Sequence, residues 1–264
     1  MIKETTLQNA DVIVLEADGK IDENENGYGH VIVKRFADFN INAFLFSLVE
    51  QPQKLENLPP KPLILSGGMT GVTTDIDWVI KARELIYKTI KSNQKCGRDN
   101  HIPIFGICFG AQLIAECYSK GSVRYLDNPE IGVSRITLDF PSHPLFNGLK
   151  KQFNAYTFHY NQIQSQDVSI LSSHQYNNNQ FIQAFEIPNA STFGVQFHPE
   201  FAYEEMITLL RTYKNRIKNL RFKVETIIKT LPRISKNSFI LKNFYSHFWN
   251  PLKGKNHLKT NFNC

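Results

Sequence analysis

Cysteine, tryptophan and methionine are scarce in this chain, with four, two and three residues among 264. The cysteines (Cys96, Cys108, Cys117 and Cys264) show no C-x-x-C and no paired spacing. That excludes a zinc pattern. No cofactor motif and no metal-ligand pattern is visible, and neither kind of group is expected. No apolar run approaches about 20 residues, so no membrane-spanning helix is expected. The first residues lack a charged-then-apolar leader with a small-residue cleavage site, so no secretory signal is expected. The expected location is cytoplasmic, a reducing compartment that suits free thiol chemistry.

Charged residues make up 20% of the chain and hydrophobic residues 42%, enough to bury one sizeable core. The net charge of +6 is unevenly divided. Residues 1–210 hold 17 Lys and Arg against 23 Asp and Glu, whereas residues 211–264 hold 13 against the single Glu225. The basic character therefore belongs to the C-terminal tail and points to a separate job for it.

Continuous β-branched runs at Val12-Ile13-Val14-Leu15, Val31-Ile32-Val33 and Pro62-Leu63-Ile64-Leu65 read as strands, with an acidic loop from Asp18 to Gly29 between the first two. Residues 75–91 read as an amphipathic helix carrying Ile76, Val79, Ile80, Leu85 and Ile86. A strand over 102–107 and a helix after Cys108 follow. Alternating strands and helices predict an α/β fold with a mainly parallel central sheet. Between 122 and 198 the pattern shifts to short strands at 133–138, 154–158, 168–172, 181–186 and 192–197, read as antiparallel pieces.

Three stretches carry chemistry. Gly106-Ile107-Cys108-Phe109-Gly110-Ala111-Gln112 joins an apolar strand to a helical pattern. A nucleophile at a tight strand-to-helix turn, flanked by glycine two residues either way, is a nucleophile elbow. A helix N-terminus lowers a thiol pKa, and so does a neighbouring histidine. Gly194-Val195-Gln196-Phe197-His198-Pro199-Glu200 supplies a base, His198, and a carboxylate, Glu200, two residues on. On an extended segment these face the same way, so Glu200 can orient the imidazole. Taken alone, His198 reads as a turn histidine and Glu200 as a first-turn helix acid; with Cys108 they read as a triad. Ser66-Gly67-Gly68 ends a strand and can present a backbone N–H to an anion. The Gly68 and Phe109 amides would then form an oxyanion hole. Ser-Gly-Gly also opens an ATP-pyrophosphatase loop, but Met69-Thr70-Gly71 lacks the acid and hydroxyl pattern that such a loop needs.

These stretches resemble the three signatures of the class I glutamine amidotransferases, the Cys-His-Glu family, and are similar to stand-alone members and to gamma-glutamyl peptidases. Asp77-Trp78-Val79 and Pro129-Glu130-Ile131-Gly132 add to the likeness, which spans about 10–210. The resemblance implies a three-layer fold over 1–212, with 213–264 as a basic helical extension. It implies hydrolysis of a gamma-carboxamide through a gamma-glutamyl thioester, with ammonia released or passed on. The substrate is expected to be glutamine or another gamma-glutamyl small molecule. About 50 tail residues cannot form an ATP-using domain, so an acceptor or synthetase is expected on a separate chain. Gln112, and His159 and Tyr160 in Phe158-His159-Tyr160-Asn161, fall at substrate-binding positions. Tyr160 departs from the usual small residue, and Met69 from the usual proline. Two rival readings stay open: a gamma-glutamyl peptidase, and a non-catalytic binding protein acting through its tail.

In the tail, Met206, Leu210, Tyr213, Ile217, Leu220, Val224, Ile227 and Leu231 recur at alternating steps of four and three. That is a heptad seam over 206–231 ending at Pro232. It suits a helix folded onto its own domain or, as the sharper reading, self-association. Phe239, Ile240, Phe244, Phe248 and Trp249 lie among Lys236, Lys242 and Lys253. A solvated basic tail is the expectation there, ahead of membrane-surface or nucleic acid contact.

Overall fold

A computed structural model describes residues 6–22, 26–176, 179–215 and 224–249. The strands are β1 (Val12–Glu16), β2 (Ala43–Ser47), β3 (Leu63–Leu65), β4 (Ile104–Ile107), β5 (Val123–Thr137), β6 (Gln152–Ile163), β7 (Ser169–Tyr176), β8 (Asn179–Ile187) and β9 (Thr192–Val195). They form one sheet in the order β2-β1-β3-β4-β9-β8-β6-β5, with β7 paired to β8. The segment from β2 to β9 is parallel, and everything beyond β9 is antiparallel.

The helices are α1 (Tyr28–Ala37), α2 (Asp77–Lys95), α3 (Phe109–Tyr118), α4 (Tyr203–Tyr213), α5 (Val224–Thr230) and α6 (Phe239–Phe248). Successive strand residues point to opposite faces, and β1 shows the result. Ile13 and Leu15 pack with Val79 and Ile86 of α2 and Leu113 of α3. Val12 and Val14 pack on the other face with Ile32 and Phe36 of α1 and with α6. Helices thus cover both faces, as expected of a parallel sheet.

The structure corrects three expectations. Val31–Val33 is not a strand but the middle of α1. Tyr28, Val31, Ile32 and Phe36 are all buried, at helical steps of three and four. The strand that follows, β2, lies at 43–47. The heptad seam is not one helix: α4 ends at Tyr213 and α5 begins at Val224, while Ile217 and Leu220 lie outside the described residues. Met206, Leu210, Tyr213, Val224 and Leu231 bury into a cluster with Tyr28, Tyr156 and Phe158 of the same chain. Those residues are therefore spent on the chain's own core and offer no seam for self-association. Nor is 239–249 solvated: Ile240, Leu241 and Phe244 of α6 are fully buried, and Phe244 lies against Phe105 and Phe193 in the central strands.

Candidate active site

Cys108 alone links β4 to α3, with φ 50° and ψ −103°. A non-glycine residue there is strained by about 1–3 kcal/mol, and its surroundings must hold it. Its N–H donates to Val195 O of the neighbouring β9 at 2.8 Å. The flanking glycines permit close packing. A Cβ on Gly106 would lie 2.4 Å from the Gly110 carbonyl carbon, and one on Gly110 would lie 2.5 Å from Leu65. The turn thus places the thiol, 5% exposed, at the N-terminus of α3, where unpaired N–H groups and the helix dipole favour an anion. Its sulfur lies 3.8 Å from Phe158 O. Cys117, one helix face away, is a contrast. Burial pushes its thiol up to about 12, with Arg83 pulling the other way.

His198 is delivered by the segment after β9, and its N–H donates to Tyr156 O of β6 at 2.8 Å. Its Nδ1 lies 2.8 Å from Glu200 Oε1, and both side chains are fully buried. The chain bends at Pro199 and Glu200 rather than running on as a strand, and the bend brings the two side chains together. Glu200 precedes the N-cap of α4 at Ala202 and so is not a first-turn helix acid. Burial opposes the charge on His198. Glu200 and Cys108 outweigh it through their charges and hydrogen bonds, and the ring's pKa is pushed up to about 10. Nε2 has no nitrogen or oxygen partner; its coupling is to the Cys108 sulfur. The ring stacks on Phe201 (4.6 Å, 12°) and more loosely on Tyr28 (5.9 Å, 29°), and those two rings touch each other at 5.9 Å, so the three form one aromatic cluster. Arg35 of α1 donates to Glu200 O at 2.8 Å and pairs with Glu205 at 2.7 Å.

Gly68 lies beside the start of α3, where a Cβ would sit 3.2 Å from the Phe109 ring. Neither Gly68 N nor Phe109 N donates to a backbone carbonyl among the described residues. Gln112, on α3, donates to Gln196 Oε1 at 3.2 Å and to Asn161 O at 3.4 Å. His159 shares that Asn161 carbonyl through Nδ1 at 2.8 Å and pairs with Glu130 at 2.9 Å. Burial works against the Glu130 charge, but His159, Gln183 and His174 outweigh it and hold the carboxyl below its usual range. Gln112 and His159 are therefore brought together. Tyr160 is turned to the other face, packed against the Tyr28 cluster and stacked on Tyr125 at 6.4 Å.

Among the described residues no cluster of His, Cys, Asp and Glu could hold a metal, and no helix is long and apolar enough to cross a membrane. A cleft of about 720 Å³ lined by Leu55, Leu58, Leu63, Leu85 and Ile102 opens at the amino ends of β3 and β4, away from the thiol. Its polar lining includes Lys81, Glu84, Lys88, Thr89 and Ser92, with no cysteine or histidine. The reading of the sequence missed Tyr28, Phe201 and Arg35. Phe201 directly follows His198-Pro199-Glu200 and was within reach; Tyr28 and Arg35 lie 170 and 165 positions from the groups they touch.

An elbow thiol, a buried imidazole and its carboxylate lie together on a mainly parallel sheet wrapped by helices, the architecture of an amidotransferase-type fold. The family described as Glutamine amidotransferase class-I matches residues 20–212, and the chain belongs to it. A separate glutamine-hydrolyzing GMP synthase subunit of Sulfurisphaera tokodaii is 28% identical over 180 residues, covering 67% of this chain and 86% of that protein. A GMP synthase of Lactobacillus acidophilus is 29% identical over 180 residues, covering 67% of this chain and 32% of the relative. The aligned part of the chain thus spans about a third of such full-length relatives. Among solved structures, a glutamine amidotransferase of Thermotoga maritima superposes with a TM-score of 0.67 at 18% identity, covering 90% of this chain and 98% of the other. A glutamine amidotransferase of Methylobacillus flagellatus gives 0.61 at 15%, covering 90% and 94%. These two likenesses show the fold.

Proposed function

We propose that this chain hydrolyses the gamma-amide of glutamine through a thioester on Cys108. The observation that carries this reading is the buried His198–Glu200 pair at 2.8 Å, coupled to a thiol at a helix N-terminus. His198 takes the Cys108 thiol proton as the sulfur attacks the gamma-carbonyl carbon, and the carbonyl electron pair moves onto oxygen. The Gly68 and Phe109 N–H groups hold that oxyanion. Collapse breaks the C–N bond, and His198 gives its proton to the leaving nitrogen, which departs as ammonia. Water then attacks the thioester as His198 takes its proton; the C–S bond breaks, glutamate leaves, and His198 returns that proton to the Cys108 sulfur. Glu200 keeps the imidazole in one orientation and stabilises its charged form. Gln112 and His159 frame the glutamyl end of the site. By analogy with the relatives that are separate GMP synthase subunits, the ammonia goes to a synthetase on another chain.

A second reading, hydrolysis of larger gamma-glutamyl amides, is favoured by the Tyr160–Tyr125 stack, whose outer ring is 71% exposed. The test is mass spectrometry after treatment with a gamma-diazoketone analogue of glutamine, alongside ammonia and amine release. We expect a single adduct on Cys108, and Cys108→Ala without adduct or turnover. Labelling of Cys117 instead, or turnover by the Ala variant, overturns the mechanism. Amine release from gamma-glutamyl peptides without ammonia release from glutamine selects the second reading.

A further inference from the structure

The turn that carries Gly68 is braced on both sides by the end of β1. On one side, buried Ser66 accepts a hydrogen bond from Ala17 N at 2.9 Å and donates its own to Gly67 O at 2.7 Å. A trans peptide directs its C=O and N–H oppositely, so tying down the Gly67 carbonyl aims the Gly68 N–H the other way. On the other side, the Asp18 carboxylate accepts three bonds from the two residues after Gly68. Oδ1 takes Met69 N at 3.0 Å and Thr70 N at 3.0 Å, and Oδ2 takes the Thr70 hydroxyl at 2.8 Å. A Cβ on Gly68 would sit 3.1 Å from Asp18 Oδ1 and 2.9 Å from Ala17 Cβ, so the turn lies directly against its brace.

Asp18 is itself anchored. Gly19 follows it at φ +101°, a conformation that suits glycine. The next amide, Lys20 N, donates to the Tyr213 hydroxyl at 3.1 Å, at the end of α4. A line of contacts thus runs from α4 through Gly19 and Asp18 to Gly68.

We propose that Asp18 is a positioning residue for the oxyanion-binding turn, holding the Gly68 N–H on the oxygen that gains charge when Cys108 attacks. This rests on the thioester mechanism above. Met69 brings an N–H that the turn must satisfy, and Thr70 brings two donors. One carboxylate collects all three and so leaves the turn a single geometry. Without it the loop after Gly68 loses its tether, and the donor drifts from the oxygen that it serves. Displacement of a group by about 1 Å can cost on the order of 10²-fold in rate.

The experiment compares Asp18→Ala and Asp18→Asn with wild type in three measurements: steady-state hydrolysis of gamma-glutamyl amides, alkylation of Cys108 by iodoacetamide, and hydrogen exchange at the Met69 and Thr70 amides. Alkylation displaces iodide from a saturated carbon and builds no oxyanion, so it reports on the thiol and not on the turn. The Ala variant should lose at least about tenfold in kcat with KM little changed, retain wild-type alkylation, and lose protection at both amides. The Asn variant should restore turnover and protection, because its carbonyl oxygen accepts from both amides and its NH₂ can donate to the Thr70 hydroxyl. The proposal is overturned if the Ala variant turns over like wild type, if alkylation falls in step with turnover, if Asn fails as Ala does, or if the two amides are unprotected in wild type. A wild-type chain that protects both amides yet hydrolyses no gamma-glutamyl amide overturns the mechanism and, with it, this role for Asp18. Should Asp18→Ala fail to fold, the Asn variant and the wild-type exchange pattern still decide.

Discussion

Replacing Phe244 with alanine should destabilise the entire amidotransferase domain, although the residue lies beyond the family match at 20–212. Phe244 is fully buried. Its ring stands 5.4 Å from Phe105 on β4, 6.2 Å from Phe193 on β9 and 6.4 Å from Phe248. Truncating a buried phenylalanine costs about 3–5 kcal/mol, through lost transfer energy and the cavity left behind. Set against a typical stability of about 5–15 kcal/mol, that is a large share. For a domain of this size it lowers Tm by roughly 10 °C. Calorimetry or denaturant titration of the full chain measures it, with the exposed Ser246→Ala as control. Deletion of residues 233–264 should be worse, since it also strips Ile240 and Leu241 from the same face. A Phe244→Ala midpoint within about 1 °C of wild type, together with a truncated chain that still unfolds cooperatively, refutes the assignment of α6 to the core.

Glu200→Gln should weaken turnover without erasing it and should narrow its pH range from the alkaline side. In wild type the His198 proton is held up to about pH 10, despite burial, by Glu200 and Cys108. With the carboxylate gone the ring releases it nearer the ordinary histidine value of about 6.5. The same linkage applies to stability. The folded pKa is raised, so the stabilisation is complete below about pH 6.5 and is lost as pH rises towards 10. Equal alkaline limits for both proteins would contradict this. Tyr28→Phe should keep near-normal turnover, because burial and the neighbouring charges of Tyr213, Cys108, Glu200 and Asp18 already keep the phenol neutral. Tyr28→Ala removes one ring of the aromatic cluster that packs on the imidazole and should cut kcat by at least about tenfold; kcat for both variants against gamma-glutamyl amides decides, and equal rates would show that the imidazole needs no such support.

The site was more legible in the sequence than its setting. An elbow needs glycine at fixed offsets from its nucleophile, and Gly106 and Gly110 lie where strand and helix nearly touch. His198 and Glu200 are two residues apart, so their meeting is local geometry. What was not legible depends on contacts remote in the chain. Val31-Ile32-Val33 suits either period, and only Tyr28 and Phe36, one turn to each side, make it a helix. In the tail, aromatic residues among lysines look like a surface patch until Phe105 and Phe193 are known to wait on the sheet for Phe244. Of the heptad stripe, Met206, Leu210, Tyr213, Val224 and Leu231 are covered by Tyr156 and Phe158 of the same chain. Asp18 looked like one acid in an acidic loop; its task becomes visible only when the turn at 68–70 is brought beside it.

The parallel pairing of β4 with β9 has a consequence in time. On the ribosome the thiol emerges ninety positions before its imidazole, and the two become neighbours only when the last central strand slots in beside the fourth. Contacts so distant in sequence form late. A half-made polypeptide therefore carries a sulfhydryl without its imidazole, and the thioester chemistry proposed above can begin only when the sheet is complete.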